Sequence, residues 1–242
     1  MDNVLVTKSN HLIEAGYKLT LNEQRLILIF ISQLDSRKPL PKDNDFVITA
    51  TDFSKMFNIS LNQSYEILED AASRLYERDI KTFDKLAKTR GRFRWVDAVK
   101  YWDGEAKVTL SFSRHIVPYL TLLHQQFTTY ELRQVSQLKT AYSIRFYELL
   151  IQFIKTGERY LSLGKLRDLF EITKEYPRFF DFKKRIITPS INEINLNTDL
   201  CVEWDVVKKG RVIIGLSFIF QERNNKIRKH SEPISGRKET MP

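Results

Sequence analysis

Basic side chains are concentrated at three places in this 242-residue chain. The first group lies between residues 81 and 94, the second between 178 and 188, and the third at the turn 208–211. Lys and Arg neutralise phosphates, while Arg, Lys, Asn and Thr also recognise base edges. The chain has 39 Lys+Arg against 30 Asp+Glu, a formal net charge of +9. This excess favours an acidic partner, most often nucleic acid.

Residue patterns for catalysis and for cofactor binding are missing. The sequence has neither a Gly-rich phosphate loop nor a dinucleotide fingerprint, and its four His show no metal-ligand spacing. Its single cysteine, Cys201, excludes a disulfide within the chain and a multi-Cys zinc site. Since Leu200 and Val202 flank Cys201, we predict that it is a small buried hydrophobe. The sequence therefore predicts no enzymatic activity, no metal and no cofactor, and a DNA-processing enzyme is the alternative.

The chain shows no signal for membrane insertion or export. Its longest apolar run, Leu26–Ile31, is far below the roughly 18–20 residues that a membrane span needs. No basic segment followed by an apolar stretch opens the sequence. We predict a cytoplasmic protein with no membrane partner.

The first basic group lies within a predicted winged helix-turn-helix unit, residues 1–125. A capping-box pattern at Thr20–Glu23 opens an apolar helix, and Asp103–Gly104 is typical of a hairpin turn. The predicted elements are a helix from Thr20 to Leu34, a strand Phe46–Thr49, a helix Asp52–Phe57 capped by Thr51, a helix from Ser60 to Arg78, and a hairpin of Arg92–Trp102 with Ala106–Phe112.

Residues 126–223 repeat this order. The predicted elements are a helix opening at Thr128, a helix Thr140–Lys155, a strand Tyr160–Ser162, a helix Lys165–Phe170, a helix Phe179–Asn195 kinked at Pro189, and a hairpin of Cys201–Val207 with Val212–Phe220.

The two units also resemble each other in sequence. DFSKMFNIS at Asp52–Ser60 matches KLRDLFEIT at Lys165–Thr173 at an offset of 113, and LSF recurs at 110–112 and 216–218. Such self-similarity is typical of duplication. We predict an α+β fold of two tandem winged helix-turn-helix domains related by internal duplication, with a disordered basic tail at 224–242.

The second domain is predicted to read most of the DNA sequence. The polar side of its long helix has the residue types that contact base edges, and such helices enter the major groove by their N-terminal residues. Lys183 falls on the apolar side of a straight helix, so it either snorkels or lies past an irregularity. A solvated helix face is the alternative. The predicted DNA contacts are Arg178, Lys183, Lys184, Arg185 and Thr188, with Lys208, Lys209 and Arg211 in the wing.

The first domain is predicted to contribute affinity and geometry. Its long helix is acidic in the middle, so only Asn62, Gln63 and Ser64 at its start suit DNA contact. The basic run Lys88, Arg90, Arg92 and Arg94 is predicted to be the wing of this domain, and it suits phosphates or the minor groove.

The first domain's hairpin also offers an edge strand for a homodimer. The predicted interface residues are Phe93, Trp95, Val99 and Tyr101. The alternative is that these side chains face the core.

Three segments resemble the iteron-binding initiator (Rep) proteins of theta-replicating plasmids. SNHLIEAGYKLTLNEQRLILIFIS at Ser9–Ser32 is similar to their opening, and FTTYELRQVSQLKTAYSIRFYELLIQF at Phe127–Phe153 to their helices between modules. Phe182–Asn195, followed by KKGRVIIGLSFIF, is similar to their second winged helix. The resemblance covers about residues 4–222.

This resemblance implies binding of double-stranded DNA at directly repeated origin sites, the iterons. It also implies recruitment of host replication initiator and helicase proteins, repression of the protein's own gene, and a homodimer in equilibrium with an initiating monomer. No catalysis is implied. A tandem winged-helix transcriptional repressor without initiator activity is the alternative.

Overall fold

A computed structural model describes residues 4–84, 88–102 and 104–223. The predicted tail 224–242 and the turn residue Asp103 lie outside these ranges. The elements are β1 Leu5–Ser9, α1 Asn10–Ile13, α2 Leu21–Ser32, β2 Asp45–Thr49, α3 Ala50–Phe57, α4 Leu61–Tyr76, β3 Asp79–Asp84, β4 Thr89–Arg94, β5 Val96–Trp102, β6 Lys107–Phe112, β7 Phe127–Glu131, α5 Leu132–Ser136, α6 Ala141–Ile151, β8 Glu158–Ser162, α7 Leu163–Leu169, α8 Phe179–Phe182, α9 Thr188–Asn197, β9 Leu200–Lys209 and β10 Val212–Glu222.

The first winged helix comprises α2, α3 and α4 over an antiparallel sheet of order β2–β6–β5. The capping box that opens α2 is confirmed. The Thr20 hydroxyl accepts from the Glu23 amide at 3.3 Å, and the Glu23 carboxylate accepts from the Thr20 amide at 2.9 Å. The apolar run 26–31 is buried on all sides, which makes α2 the central helix of this unit.

Two helix starts in this unit differ from prediction. Thr49, and not Thr51, caps α3, because the Thr49 hydroxyl accepts from the Asp52 amide at 3.0 Å. Ser60 precedes α4 without a side-chain capping bond.

The predicted strand Arg92–Trp102 is wrong, since it is two strands. Its first part belongs to β4, which pairs with β3 in a separate hairpin inserted between α4 and β5. The basic run therefore lies on this inserted hairpin and not on the wing. The chain changes direction at Trp95, whose fully buried ring packs edge-on against Tyr17 at 4.9 Å between centroids. Burial of that ring redirects the chain into the core.

The second winged helix has the same topology, with α6, α7 and the α8–α9 helix over a sheet of order β8–β10–β9. The internal duplication is thus confirmed in three dimensions. Thr49 and Ser162, 113 positions apart, cap equivalent helices. The offset falls to 106 at the LSF segments, since the first unit has the inserted hairpin and the second a longer recognition helix.

Cys201 is exposed, so the prediction of a buried thiol is wrong. Strand side chains alternate between faces, and here Leu200 and Val202 take the inward positions. Cys201 consequently points to the outer face, opposite Gln221 on β10.

A two-stranded ribbon of β1 and β7 connects the two winged helices. The predicted helix opening at Thr128 is wrong, because Phe127–Glu131 is a strand and the helix begins at Leu132. Exposed Phe127 and Thr129 alternate with buried Thr128 and Tyr130, the period-two pattern of a strand. The domain boundary at 125/126 falls just before this strand and stays a prediction.

Candidate nucleic-acid interface

The recognition helix of the second unit contains a π turn at Lys183–Ile187, between α8 and α9. The Thr188 amide donates to the Lys183 carbonyl, five residues back. In a regular α-helix Pro189 would lack an amide for the Arg185 carbonyl, and its ring would collide with that carbonyl. The wider turn relieves this conflict. The irregularity that Pro189 predicts therefore takes the form of a π turn within a continuous helix.

The π turn also determines where Lys183 points. Lys183, Lys184 and Arg185 are all exposed, while Ile186 and Ile187 are buried. Lys183 Nζ lies 5.4 Å from the centroid of the Trp204 ring on β9. The cation–π contact orients this ammonium group without neutralising it, and it places the recognition helix beside the wing strands.

The basic side chains of this surface have no carboxylate partner among the described residues. The ion pairs in the described ranges involve other cations. Uncompensated charges on one helix and its wing create a positive field suited to phosphates. The exposed cations are Arg178, Lys183, Lys184, Arg185, Lys208, Lys209 and Arg211. Thr188 is half-buried on the same helix.

Phe180 is a further candidate contact that the sequence reasoning did not single out. Its side chain is 67% exposed, and its ring centroid lies 6.0 Å from Lys184 Nζ. The helical wheel carried this signal, because Phe180 falls on the polar side beside Lys184. An apolar side chain there suits contact with a thymine methyl group.

In the first unit, Asn62 and Gln63 are exposed at the start of α4, as a base contact requires. The prediction for Ser64 is wrong, because this side chain is buried and its hydroxyl donates to the Ser60 carbonyl at 2.8 Å. The exposed carboxylates Glu66 and Glu69 follow on the same helix. Only the first turn of α4 is therefore suited to approach DNA.

The basic run of the inserted hairpin divides into two pairs. Lys88 and Arg90 are exposed and have no carboxylate partner among the described residues. Arg92 forms an ion pair with Asp79, and Arg94 pairs with Glu77 at 3.0 Å. The first pair is thus the better candidate for phosphates.

The inserted hairpin also reaches the second unit. Lys81 on β3 forms an ion pair with Glu171 at 2.8 Å, next to the turn that precedes the recognition helix. The inserted hairpin therefore contacts the second unit at the segment between α7 and the recognition helix.

The predicted dimer interface is partly wrong. Trp95 is fully buried in the core, so it presents no surface to a partner. Phe93 is half-buried and stacks on Tyr119 at 5.7 Å between centroids. Val99 also packs against the core, whereas Tyr101 is 39% exposed on β5, an edge strand. The remaining candidate surface is this edge with Tyr101.

Within the described ranges, no cluster of three or more His, Cys, Asp or Glu residues could hold a metal ion. No helix in the same ranges has the length and apolar character needed to cross a bilayer.

Fold and site together define a class: a DNA-binding protein with two tandem winged helices, of which the second presents an uncompensated basic recognition helix. Residues 5–151 match the family described as "Initiator Replication protein, WH1", and residues 162–220 match "Initiator Rep protein, WH2". The chain belongs to this family of replication initiators, which confirms the resemblance noted in the sequence. The first match includes the β1–β7 ribbon and α6 as well as the first winged helix.

Individual relatives agree with the family match. The chain is 26% identical to a "Replication initiation protein" of Escherichia coli over 251 positions, covering 97% of this chain and 78% of that one. It is also 26% identical to the "PI protein" of Escherichia coli over 257 positions, covering 91% and 84% of the two chains. The crystal structure of Pi initiator protein in complex with iteron DNA has the same fold, with a TM-score of 0.79 at 24% identity, covering 93% of this chain and all of that one.

Proposed function

We propose that this protein initiates plasmid replication by binding directly repeated origin sites, the iterons, with both winged helices of one monomer. The observation that carries the proposal is the recognition helix, where a π turn directs Lys183, Lys184 and Arg185 outward, with no carboxylate partner in the described part of the chain. Membership of the initiator family supports the biological role, and the solved Pi complex with iteron DNA supports the kind of site.

Each part of the surface has a separate task in this proposal. Lys184 and Arg185 read base edges in the major groove, while the cations of the wing contact phosphates. Arg90 and Lys88 neutralise the backbone between the two recognition helices. Once bound, the cytoplasmic protein opens the origin and recruits host replication initiator and helicase proteins, without catalysing a reaction itself.

A homodimer through the β5 edge accounts for regulation in the same proposal. The exposed Tyr101 and the unpaired side of β5 suit sheet pairing between two copies. A dimer built there competes with the placement of both units on one iteron, so monomers initiate and dimers repress the gene. By reciprocity, iteron DNA favours the monomer.

Arg185→Ala tests the assignment of base readout. We expect it to weaken binding to the specific site by about 1–3 kcal/mol and to relax discrimination between sites. The control is Arg90→Ala. Because Arg90 contacts phosphate in this proposal, its loss should lower the affinity for the specific site and for non-specific DNA by the same factor. Titration of a labelled duplex carrying the origin repeats, beside a scrambled duplex, measures both affinities. Equal losses of specific and non-specific binding in Arg185→Ala would contradict the assignment.

A further inference from the structure

A group of fully buried charged side chains lies where the two winged helices meet. Lys8 on β1 and Glu148 on α6 form an ion pair at 2.5 Å, with no exposure of either side chain. Tyr130 on β7 donates to the same carboxylate oxygen at 2.6 Å. Arg145, one turn earlier on α6, lies 3.6 Å from the other oxygen and donates to the Ala15 carbonyl at 2.9 Å. These contacts tie α6 of the second unit to the ribbon between the units.

Tyr17 extends this network into the first unit. Its ring packs edge-on against Trp95, in the core of the first winged helix. The Arg145 guanidinium lies 3.8 Å from the centroid of the same ring and donates to the Tyr17 hydroxyl at 2.5 Å. The hydroxyl in turn donates to Glu148 at 3.4 Å. One side chain therefore contacts both the first unit's core and the second unit's central helix.

We propose that Lys8, Tyr17, Arg145 and Glu148, here called the joint cluster, are positioning residues that fix the relative placement of the two recognition helices. The inference rests on the proposed function in one respect, since the relative placement of the two helices matters for the spacing between the two parts of an origin site only if both helices bind that site. No residue of the joint cluster needs to touch DNA for this role.

The energetics of buried charges favour a positioning role over simple stabilisation. A buried ion pair contributes little more than well-packed apolar side chains of similar volume, because desolvation offsets the attraction. Its bonds are short and directional, however, and a displaced partner leaves an uncompensated buried charge. Apolar packing tolerates small sliding motions of α6 against β1, whereas these bonds restrict the joint to one arrangement.

Two other ion pairs across the joint have solvent-accessible side chains and are therefore weaker, whereas the Glu14–Arg159 pair has a buried guanidinium. Lys18 pairs with Glu175, and both side chains are nearly half-exposed. Glu14 pairs with Lys165 at 3.1 Å, and this lysine is also solvent-accessible. Exposed pairs contribute about 0–1 kcal/mol. Glu175→Gln is consequently a matched control that removes one carboxylate from the same joint.

Distance measurements on the full-length protein test the proposal without DNA. The exposed native Cys201 and a second cysteine from Lys55→Cys on α3 carry one spin label in each unit. We expect one narrow distance distribution in the parent and in Glu175→Gln, with the labelled protein diluted in unlabelled protein so that pairs between protomers do not contribute. Glu148→Gln should broaden it or add a second distance, and Tyr17→Phe should broaden it less. Narrow, unshifted distributions in both cluster variants would overturn the proposal.

A DNA experiment tests the consequence for spacing. The probe is a duplex that the wild-type protein selects from a random library, with about 5 bp, half a helical turn, inserted between its two protected parts. The wild type should lose at least about 100-fold in affinity, since one unit loses its base contacts. Glu148→Gln should lose less than about tenfold relative to its own affinity for the parent site.

The two experiments separate the joint cluster from the proposed function. If the wild type selects no duplex, the proposed function fails, and the distance distributions still decide the positioning role. If Glu148→Gln does not fold by circular dichroism, Tyr17→Phe and the double variant Lys8→Met/Glu148→Leu take its place. Spacing discrimination as strong as the wild type's in a folded cluster variant would contradict the proposal.

Discussion

Raising the salt concentration from 50 to 200 mM is expected to weaken duplex binding by about 10³–10⁵-fold. We expect the protein to contact roughly 6–10 phosphates through its two winged helices, their wings and the inserted hairpin. Each phosphate that is neutralised releases condensed counterions, which makes the affinity depend on salt. The uncompensated cations of the recognition helix and wing predict this dependence directly. A plot of log affinity against log salt concentration from fluorescence anisotropy measures the slope.

Two variants identify the source of that slope. The triple substitution Lys208→Ala, Lys209→Ala and Arg211→Ala should lower its magnitude by about three phosphate equivalents, because these wing cations contact phosphates. Lys38→Ala is the control, because Lys38 already pairs with Asp35 at 3.0 Å. A nearly flat plot for the wild type would show that the charge excess does not serve DNA binding.

Glu148→Ala is expected to lower the free energy of unfolding by about 3–5 kcal/mol, because it leaves Lys8 buried and unpaired. Lys8→Met/Glu148→Leu should recover part of that loss, because it removes the unpaired Lys8 charge, while Arg145 keeps its bonds to the Ala15 carbonyl and the Tyr17 hydroxyl but loses its carboxylate. Glu175→Gln at the same joint should cost less than about 1 kcal/mol. Urea denaturation monitored by circular dichroism compares the three. A loss in Glu148→Ala no larger than in Glu175→Gln would contradict the role of the buried pair.

The pH dependence of stability follows from the same carboxylate. Burial opposes ionisation of Glu148, but the charges of Lys8 and Arg145 and the hydrogen bonds from Lys8 and Tyr130 prevail and hold its pKa below the usual value. A carboxyl group whose pKa is lower in the folded state stabilises the fold above the unfolded-state pKa, and that contribution is lost as pH falls through the folded-state value. The free energy of unfolding of the wild type should therefore fall more steeply in acid than that of Lys8→Met/Glu148→Leu. Urea denaturation of both proteins at a series of pH values measures this difference.

Much of the architecture could be predicted from local sequence signals. The capping box at Thr20 and the helix start at Thr140 depend on short-range contacts that the folded protein keeps. The repeated LSF segments lie in equivalent strands of the two units. The repeat at an offset of 113 indicated the duplication, because α3 and α7 each begin after a hydroxyl side chain that caps the helix, Thr49 in the first unit and Ser162 in the second. Family membership was likewise detectable in segments spread over the whole chain.

The errors in prediction arose where tertiary contacts override local pattern. Thr128 and Glu131 have capping-box spacing, yet their segment pairs with β1, more than a hundred residues away. Burial of Trp95 divides what looked like one long strand. The joint cluster gave no sequence signal, since Lys8, Tyr17 and Glu148 are far apart in the chain and meet only in the folded protein.

Footprinting on the DNA beside the gene tests the central claim most directly. Two winged helices on one face of the duplex should lie about one helical turn apart, so one monomer should protect a non-palindromic site of roughly 20 bp. We predict several such sites as direct repeats next to an A·T-rich stretch, each occupied by one monomer as judged by sedimentation of the complex. Protection of a single inverted repeat over a promoter, by an obligate pair of protomers, would contradict an initiator and favour a repressor.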